Sequence, residues 1–91
     1  MPYIDQQYRH SLDNAIQTVT EDIELKSSMT KASPAGMVTY VVYKLIVKFF
    51  SGSYLKFATG IGVLICSAME FYRRKIAAYE DEKIKENGDV E

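Results

Sequence analysis

The chain has very few of the residues on which disulfide frameworks, metal sites and phosphate-binding loops depend. Its 91 residues include one cysteine, one histidine, two prolines, five glycines and no tryptophan. Cys66 alone cannot form an internal disulfide, and without a Cys/His cluster a zinc site is not expected. His10 has no carboxylate partner in its sequence neighbourhood, and Gly60 and Gly62 lie inside a helical pattern rather than after a strand. We therefore expect no enzyme, no catalytic residue, no metal and no cofactor.

Long uncharged apolar runs are also missing. The longest, residues 32–43 and 57–69, contain 12 and 13 residues, whereas a membrane-spanning helix takes about 20. Lys44, Lys48 and Lys56 interrupt the apolar region at positions that would be costly in mid-bilayer. The first residues lack the basic and apolar segments of a signal peptide. We expect a cytoplasmic protein with no membrane partner, and a small phage holin is the alternative.

The charge is near zero overall but unevenly distributed. The net charge of the chain is −1. Residues 1–30 carry two basic and five acidic side chains, for −3, and residues 79–91 carry two and six, for −4. Residues 31–78 carry seven basic side chains against Glu70, for +6. This pattern is consistent with charge complementarity within or between chains, or with a basic surface for an anionic ligand. The acidic ends would repel the phosphates of a nucleic acid, so we do not expect nucleic acid as a partner.

A narrow apolar seam predicts the first helix, over about residues 5–26. Its members recur every three or four residues: Tyr8, Leu12, Ile16, Val19 and Ile23. Asp5 is the expected N-cap. Residues 27–36, rich in serine, threonine, proline and glycine, are the expected linker.

Two further helices are predicted over about residues 37–50 and 54–76, joined by the turn Ser51-Gly52-Ser53. A turn this short makes the two helices antiparallel neighbours, and Ser53 is the expected N-cap of the later one. The β-branched residues at 38–42 could also suit a strand, but they lack the alternation of a half-buried strand. Gly60 and Gly62 would allow another helix to approach closely.

The last segment, residues 77–91, is a charged tail whose Asn87-Gly88 would end a helix well. The tail could extend the third helix or form a separate one. The predicted fold is therefore all-α: an N-terminal helix and a helical hairpin with a charged, partly helical C-terminal tail, in one domain over residues 1–91.

The candidate ligand site is the sequence Tyr72-Arg73-Arg74-Lys75, to which we add Arg9 from the polar face of the first helix. Arginine forks bind phosphates and tyrosine rings stack on bases. Cations near a helix C-terminus also interact favourably with the helix dipole, so the same residues have a purely structural explanation.

The candidate oligomer interface is the apolar face of the third helix. Helices two and three are apolar on more than one face, and a chain this short cannot bury all of that surface by itself. Cys66 lies in this apolar region, and we expect a buried, unreactive thiol. The interface residues that we predict are Phe57, Ile61, Leu64, Ala68, Phe71 and Tyr79.

Three stretches resemble a family of small uncharacterised proteins from tailed bacteriophages and bacteria. They are the opening Met-Pro-Tyr-Ile, the segment at residues 61–74 that ends in Glu-Phe-Tyr-Arg-Arg, and the tail at residues 79–90 that begins with Tyr-Glu-Asp and ends with Asn-Gly-Asp-Val. The resemblance implies a helical fold and a phage or bacterial cytoplasmic setting. It implies no activity.

Three functions remain open. The first is a phage accessory protein that binds a small anionic nucleotide-type immune signal as a homo-oligomer, by analogy with helical phage proteins that sequester such signals. The second is a module that inhibits a host protein through its apolar and tyrosine-rich face. The third is a structural or assembly protein.

Overall fold

The computed structural model describes residues 4–91, which form helices and turns without any β-strand. Met1, Pro2 and Tyr3, and with them most of the opening motif, lie outside the described residues. The elements are α1 (Gln6–Thr30), α2 (Pro34–Phe49), α3 (Tyr54–Phe71), a π-helical turn (Tyr72–Ile76) and α4 (Ala77–Asn87). The prediction of an all-α, three-helix arrangement is confirmed.

The helices belong to two compact units, Met1–Leu45 and Ile46–Glu91. The first unit contains α1 and most of α2. The second contains the last turn of α2 and the whole of the later helix. The boundary lies inside α2, so no linker separates the units in the sequence. The prediction of a single domain stays a prediction.

The first helix runs to Thr30, four residues beyond the predicted end near residue 26. Its last turn is held by two hydroxyl contacts: Thr30 Oγ1 donates to the Lys26 carbonyl at 2.7 Å, and the Ala32 N–H donates to Thr30 Oγ1 at 3.3 Å. Lys31 then adopts a left-handed conformation (φ 60°) and its N–H donates to the Ser27 carbonyl at 2.9 Å. This is a common way to end a helix, although glycine usually takes the position.

The predicted linker at residues 27–36 is consequently reduced to residues 31–33. Ser33 Oγ accepts from the Ala35 N–H at 3.2 Å, which satisfies a donor at the start of α2. Pro34 occupies the first helical position, where its fixed φ and missing N–H cost nothing. Asp5 stands at the predicted N-cap of α1, but its side chain makes no capping hydrogen bond.

In the second unit, the turn after α2 brings the start of α3 back against the end of α2. Gly52 has φ 106°, which favours glycine, and Ser53 Oγ caps α3 by accepting from the Lys56 N–H at 3.2 Å. A Cβ at Gly60 would lie 3.0 Å from Phe50 Cβ and 3.2 Å from Ile46 Cγ2. Gly60 therefore allows the close approach that we predicted. Gly62 has no atom within 4 Å of its Cβ position and plays no such part.

The third helix does not end near residue 76 but continues without a break to Asn87. Together α3, the π-helical turn and α4 form one helix, Tyr54–Asn87, of 34 residues. Local pairs support its charged end: Lys83 to Glu86 at 2.9 Å, and the Lys83 ammonium 5.4 Å from the centre of the Tyr79 ring. Gly88, with φ 85°, ends the helix and its N–H donates to the Ile84 carbonyl.

Candidate functional site

The predicted ligand residues Tyr72, Arg73, Arg74 and Lys75 lie within the π-helical turn. The Ala77 N–H donates to the Tyr72 carbonyl, five residues back, and the Tyr72 N–H is shared between the carbonyls of Ala68 and Met69. One turn of the helix thus contains an extra residue. Such π-helical turns are rare and are found frequently at functional sites.

Glu70 lies between the two arginines of this turn. Arg73 Nη2 donates to Glu70 Oε1 at 2.6 Å and Arg73 Nε to Oε2 at 3.3 Å, while Arg74 Nε also donates to Oε1. The Glu70 side chain is 28% exposed, whereas those of Arg73 and Arg74 are 65% and 64% exposed. The two guanidinium groups therefore share one carboxylate that is better covered than they are.

The arginines keep Glu70 ionised. Hydrogen bonds from Arg73, and then from Arg74, lower the pKa of Glu70 from 4.5 to about 2. Glu70 is therefore an anion at neutral pH and offsets part of the positive charge of the turn. A phosphate that approaches Arg73 or Arg74 must compete with this carboxylate for the same N–H donors.

The tyrosine of the turn has an acidic partner of its own. The Tyr72 hydroxyl donates to Glu80 Oε2 at 3.1 Å, across eight residues. This hydrogen bond, with the charge of Glu80, raises the pKa of Tyr72. Its hydroxyl is therefore a donor at neutral pH, and the bond connects the π-helical turn to the first turn of α4.

The remaining predicted ligand residue is Arg9. Arg9 belongs to the first unit, where its Nη2 donates to the Ile4 carbonyl at 3.2 Å. Sequence reasoning missed Glu70 and Glu80 as partners. The spacing of Glu70 from Arg73 and Arg74, three and four residues, could have revealed the first. Glu80 is eight residues from Tyr72, a spacing that an uninterrupted α-helix would leave about 80° apart around its axis.

The predicted interface residues are all exposed. Exposed fractions range from 37% for Leu64 to 62% for Tyr79, and Phe57, Ile61 and Phe71 lie between 55% and 59%. Ala68 is exposed as well. Within residues 4–91, Gly60 is the one buried residue, and no hydrophobic side chain is buried. The apolar surface that a fold normally covers is therefore open on this chain.

The chain matches, over residues 1–90, the family described as a domain of unknown function, DUF6899. It belongs to that family. No curated protein and no solved structure matches the chain. The family assignment covers nearly the whole of the chain and is consistent with the resemblance to uncharacterised proteins, but it brings no activity with it.

The remaining reactive side chains of this DUF6899 domain do not form a site. Cys66 is exposed, so the prediction of a buried thiol is wrong: α3 turns that residue away from its contact with α2. His10 Nε2 lies 3.5 Å from Asn14 Nδ2. Among the described residues, no group of three or more His, Cys, Asp or Glu side chains could hold a metal ion.

A groove of about 400 Å³ lies between α1 and α2 in the first unit. Its lining includes the apolar side chains of Ile23, Met37 and Val41 and the Lys26–Asp22 ion pair, at 2.6 Å. The groove has apolar walls and one neutralised ion pair, so it has no evident preference for an anion.

The helix Tyr54–Asn87 is long and apolar enough to cross a membrane, judged by length and composition alone. Its most apolar window has a mean hydropathy of 1.3 and is 6% buried. A core helix of a soluble protein can pass the same test, but it is mostly buried. This helix is instead mostly exposed along that window.

Proposed function

We propose that this protein is a non-enzymatic helical interaction module that works as a homo-oligomer. The observation that carries the proposal is the lack of a buried hydrophobic side chain anywhere in residues 4–91, while large apolar side chains are exposed along every helix. Burial of apolar surface is the main driving force for folding, and exposed apolar patches of this extent mark interaction surfaces. A second copy of the chain is a partner that is always present.

A protein cover fits the long helix better than lipid does. Its uncharged stretch, residues 57–69, is 13 residues long. At the rise of an α-helix this is about 20 Å, whereas the hydrocarbon core of a bilayer is about 30 Å thick. Lys56 stands before the stretch, and Glu70 and the basic turn follow it directly. These charges would lie within the bilayer if the helix crossed it.

The setting that we propose is the cytoplasm of a bacterial cell, with the protein encoded by a tailed phage or by the bacterium. The support is the resemblance of the segment at residues 61–74 and of the tail at residues 79–90 to proteins from those sources. Inhibition of a host protein and participation in a larger assembly are both compatible with a module of this kind. In either role the apolar face of α3 would be the contact surface.

Sedimentation equilibrium of the whole chain and of two matched variants tests the proposed self-association. Ile61 belongs to the predicted interface and is 57% exposed. Cys66 is also exposed but lies about 140° around the helix axis from Ile61, outside that interface. We expect Ile61→Glu to raise the dissociation constant of the oligomer at least about tenfold, and Cys66→Glu to raise it much less. A chain that is monomeric at all concentrations and inserts into phosphatidylcholine vesicles would overturn the proposal.

A second candidate function is the binding of a small anionic nucleotide as an anti-defence activity. The observation in its favour is the π-helical turn, which gathers three cations and a tyrosine in a conformation typical of functional sites. Calorimetry against a panel of cyclic nucleotides and dinucleotides tests it. We expect Arg73→Ala or Arg74→Ala to abolish any binding and Glu70→Gln to strengthen it, because the competing carboxylate is removed. No heat with any nucleotide would rule the function out.

A further inference from the structure

The predicted interface residues of α3 follow the seven-residue period of a coiled coil. They lie alternately four and three residues apart along the helix. In order they are Phe57, Ile61, Leu64, Ala68 and Phe71. At about 100° per residue, all five fall within an arc of about 80° on one side of α3. Each of them is exposed, so α3 presents one continuous apolar row along about 20 Å of its length.

The π-helical turn decides which residues continue this row after Phe71. In an uninterrupted α-helix the next two positions, four and seven residues further on, would be Lys75 and Ala78. The π-helical turn adds one residue to the helix directly after Phe71. The row therefore resumes one position later, at Ile76 and Tyr79, which are 39% and 62% exposed. The extra residue replaces a cation and an alanine in the row by two large apolar side chains.

The hydrogen bond from Tyr72 to Glu80, at 3.1 Å, shows this change of phase directly. An uninterrupted α-helix would leave these two residues about 80° apart around its axis, whereas one absorbed residue brings them to about 20°. By the same count Ile76 lies about 40° from Phe71 instead of about 140°. The whole row then falls within an arc of about 100° on one face of the helix. We call this row the interface seam: Phe57, Ile61, Leu64, Ala68, Phe71, Ile76 and Tyr79.

The contact with α2 lies at one edge of the interface seam. A Cβ at Gly60 would lie 3.0 Å from Phe50 Cβ, which marks the side from which α2 approaches. Gly60 is about 60° around the helix from Phe57 and about 40° from Leu64. Phe57 and Leu64 nevertheless keep exposed fractions of 55% and 37%. The end of α2 therefore borders the interface seam and does not cover it.

The chain exposes more surface than its mass requires. Its accessible surface is 8143 Å² for a mass of 10.4 kDa. Two independent folded domains of about 5.2 kDa each would together expose about 6,500 Å². The excess of about 1,600 Å² per chain amounts to about 3,200 Å² for two copies, within the range of about 2,000–5,000 Å² that permanent homodimers bury. The open surface is thus of the size that a stable homodimer needs.

We propose that the interface seam packs against the interface seam of a second copy, and that the π-helical turn keeps the two halves of the seam in phase. Side chains at this period fit between those of a partner helix that has the same period. Every copy of the chain supplies such a helix, and a two-fold interface uses the same surface of both copies.

This inference rests on the proposed self-association and specifies its contact surface. It adds Ile76 to the predicted interface residues and explains how Tyr79, which follows the turn, can share a face with the residues of α3. It also gives the π-helical turn a role in assembly that is separate from ligand binding. Substitutions before the turn and after it therefore test different parts of the contact.

Thiol alkylation tests which residues the second copy covers. In a Cys66→Ser background, Ile76→Cys places a thiol in the interface seam, and Ala78→Cys places one where an uninterrupted α-helix would continue it. At protein concentrations well above the dissociation constant, maleimide should react with the Ile76→Cys variant at least about tenfold more slowly than with the Ala78→Cys variant. At concentrations well below it, the two rates should converge.

Sedimentation equilibrium measures the contribution of the half that follows the turn. Tyr79→Glu should raise the dissociation constant at least about tenfold, and Ala78→Glu, next to it but outside the interface seam, should raise it much less. Deletion of Lys75 removes the extra residue and leaves Ile76 and Tyr79 in phase, so this variant should self-associate within about threefold of the wild type.

The result for Ile61→Glu separates this inference from the proposed function. If Ile61→Glu weakens self-association while Tyr79→Glu does not, and the two thiols react at equal rates, the seam does not continue through the π-helical turn and the interaction module stands. A wild-type chain that is monomeric at all concentrations would overturn both.

Discussion

At the scale of single residues, Glu70 controls the charge of the basic turn. Because Arg73 and Arg74 lower its pKa from 4.5 to about 2, this carboxyl should titrate well below its ordinary value. The folded-state pKa is depressed, so its contribution to stability is fully present above the unfolded-state pKa near 4.5 and is lost as the pH falls toward 2. We expect the thermal midpoint of the wild type to fall more steeply in this interval than that of Glu70→Gln.

Carboxyl carbon NMR shifts measure this pKa directly. Arg73→Ala should raise the pKa of Glu70 most, and Arg74→Ala should raise it less, since the Arg73 hydrogen bond is the larger cause of the depression. Lys56→Ala, a change at the start of the same helix Tyr54–Asn87, is the control and should leave the pKa of Glu70 unchanged. An unshifted Glu70 in the wild type would contradict the geometry of the turn.

Gly60 and Gly62 provide a matched pair for the contact between α2 and α3. Replacement of a helical glycine by alanine stabilises a helix by about 1 kcal/mol where space is available. Gly62 has that space, so Gly62→Ala should raise the free energy of unfolding. At Gly60 the new Cβ meets Phe50 and Ile46 at 3.0 and 3.2 Å, and overpacking costs about 1–3 kcal/mol. Gly60→Ala should therefore lower the free energy of unfolding.

Chemical denaturation of the two variants measures the difference. Equal stabilisation by both substitutions would show that α2 and α3 do not approach each other at Gly60. The double variant Gly60→Ala with Ile46→Ala removes Ile46 Cγ2, which lies 3.2 Å from the new Cβ. It should lose less stability than the sum of the two single losses, as expected for residues in direct contact.

At the scale of elements, local signals predicted where helices begin better than where they end. Ser53 was identifiable as a cap because serine followed a glycine turn, and its hydroxyl does accept from Lys56. The end of α1 was placed four residues early, because serine and threonine were interpreted as linker residues. Thr30 instead bonds back to the Lys26 carbonyl and extends the helix. A π-helical turn has no sequence signature of comparable strength. The hydrogen bond from Tyr72 to Glu80 therefore could not be predicted from the sequence.

The π-helical turn keeps Tyr72 and Glu80 on one side of the helix. Eight residues of α-helix rotate about 80° beyond two full turns, and the extra residue in the turn absorbs most of that rotation. Deletion of Lys75 leaves a spacing of seven, close to two α-helical turns. We expect this variant to be α-helical throughout, to keep the Tyr72–Glu80 hydrogen bond, and to unfold within about 0.5 kcal/mol of the wild type.

Insertion of an alanine between Ala77 and Ala78 is the matched control. It adds about 100° of rotation between Tyr72 and Glu80, which the π-helical turn does not absorb. It should therefore break their hydrogen bond and reduce stability more than the deletion does. Circular dichroism during denaturation gives the comparison, and amide hydrogen exchange at residues 72–77 reports the helix type. Equal losses in the two variants would show that the π-helical turn does not set the phase of α4.

At the scale of the whole molecule, composition predicted the excess of apolar surface but not its distribution. The sequence pattern on α3 marked Phe57, Ile61 and Leu64 as interface residues, and their exposure is consistent with that hypothesis. Cys66 was expected to be buried because its neighbours are apolar. An apolar neighbourhood in sequence does not imply burial when the chain has too few elements to cover every face of a helix.

No hydrophobic side chain is buried in residues 4–91. This observation leads to a prediction about the stability of the whole molecule. When folding is coupled to association, the melting temperature depends on protein concentration by mass action. We expect the midpoint measured by circular dichroism to rise steadily over a roughly hundredfold increase in concentration. Ile61→Glu, which weakens self-association, should melt lower than the wild type at every concentration. A midpoint independent of concentration, together with a monomer in sedimentation, would show that the isolated chain is stable with its apolar faces in water.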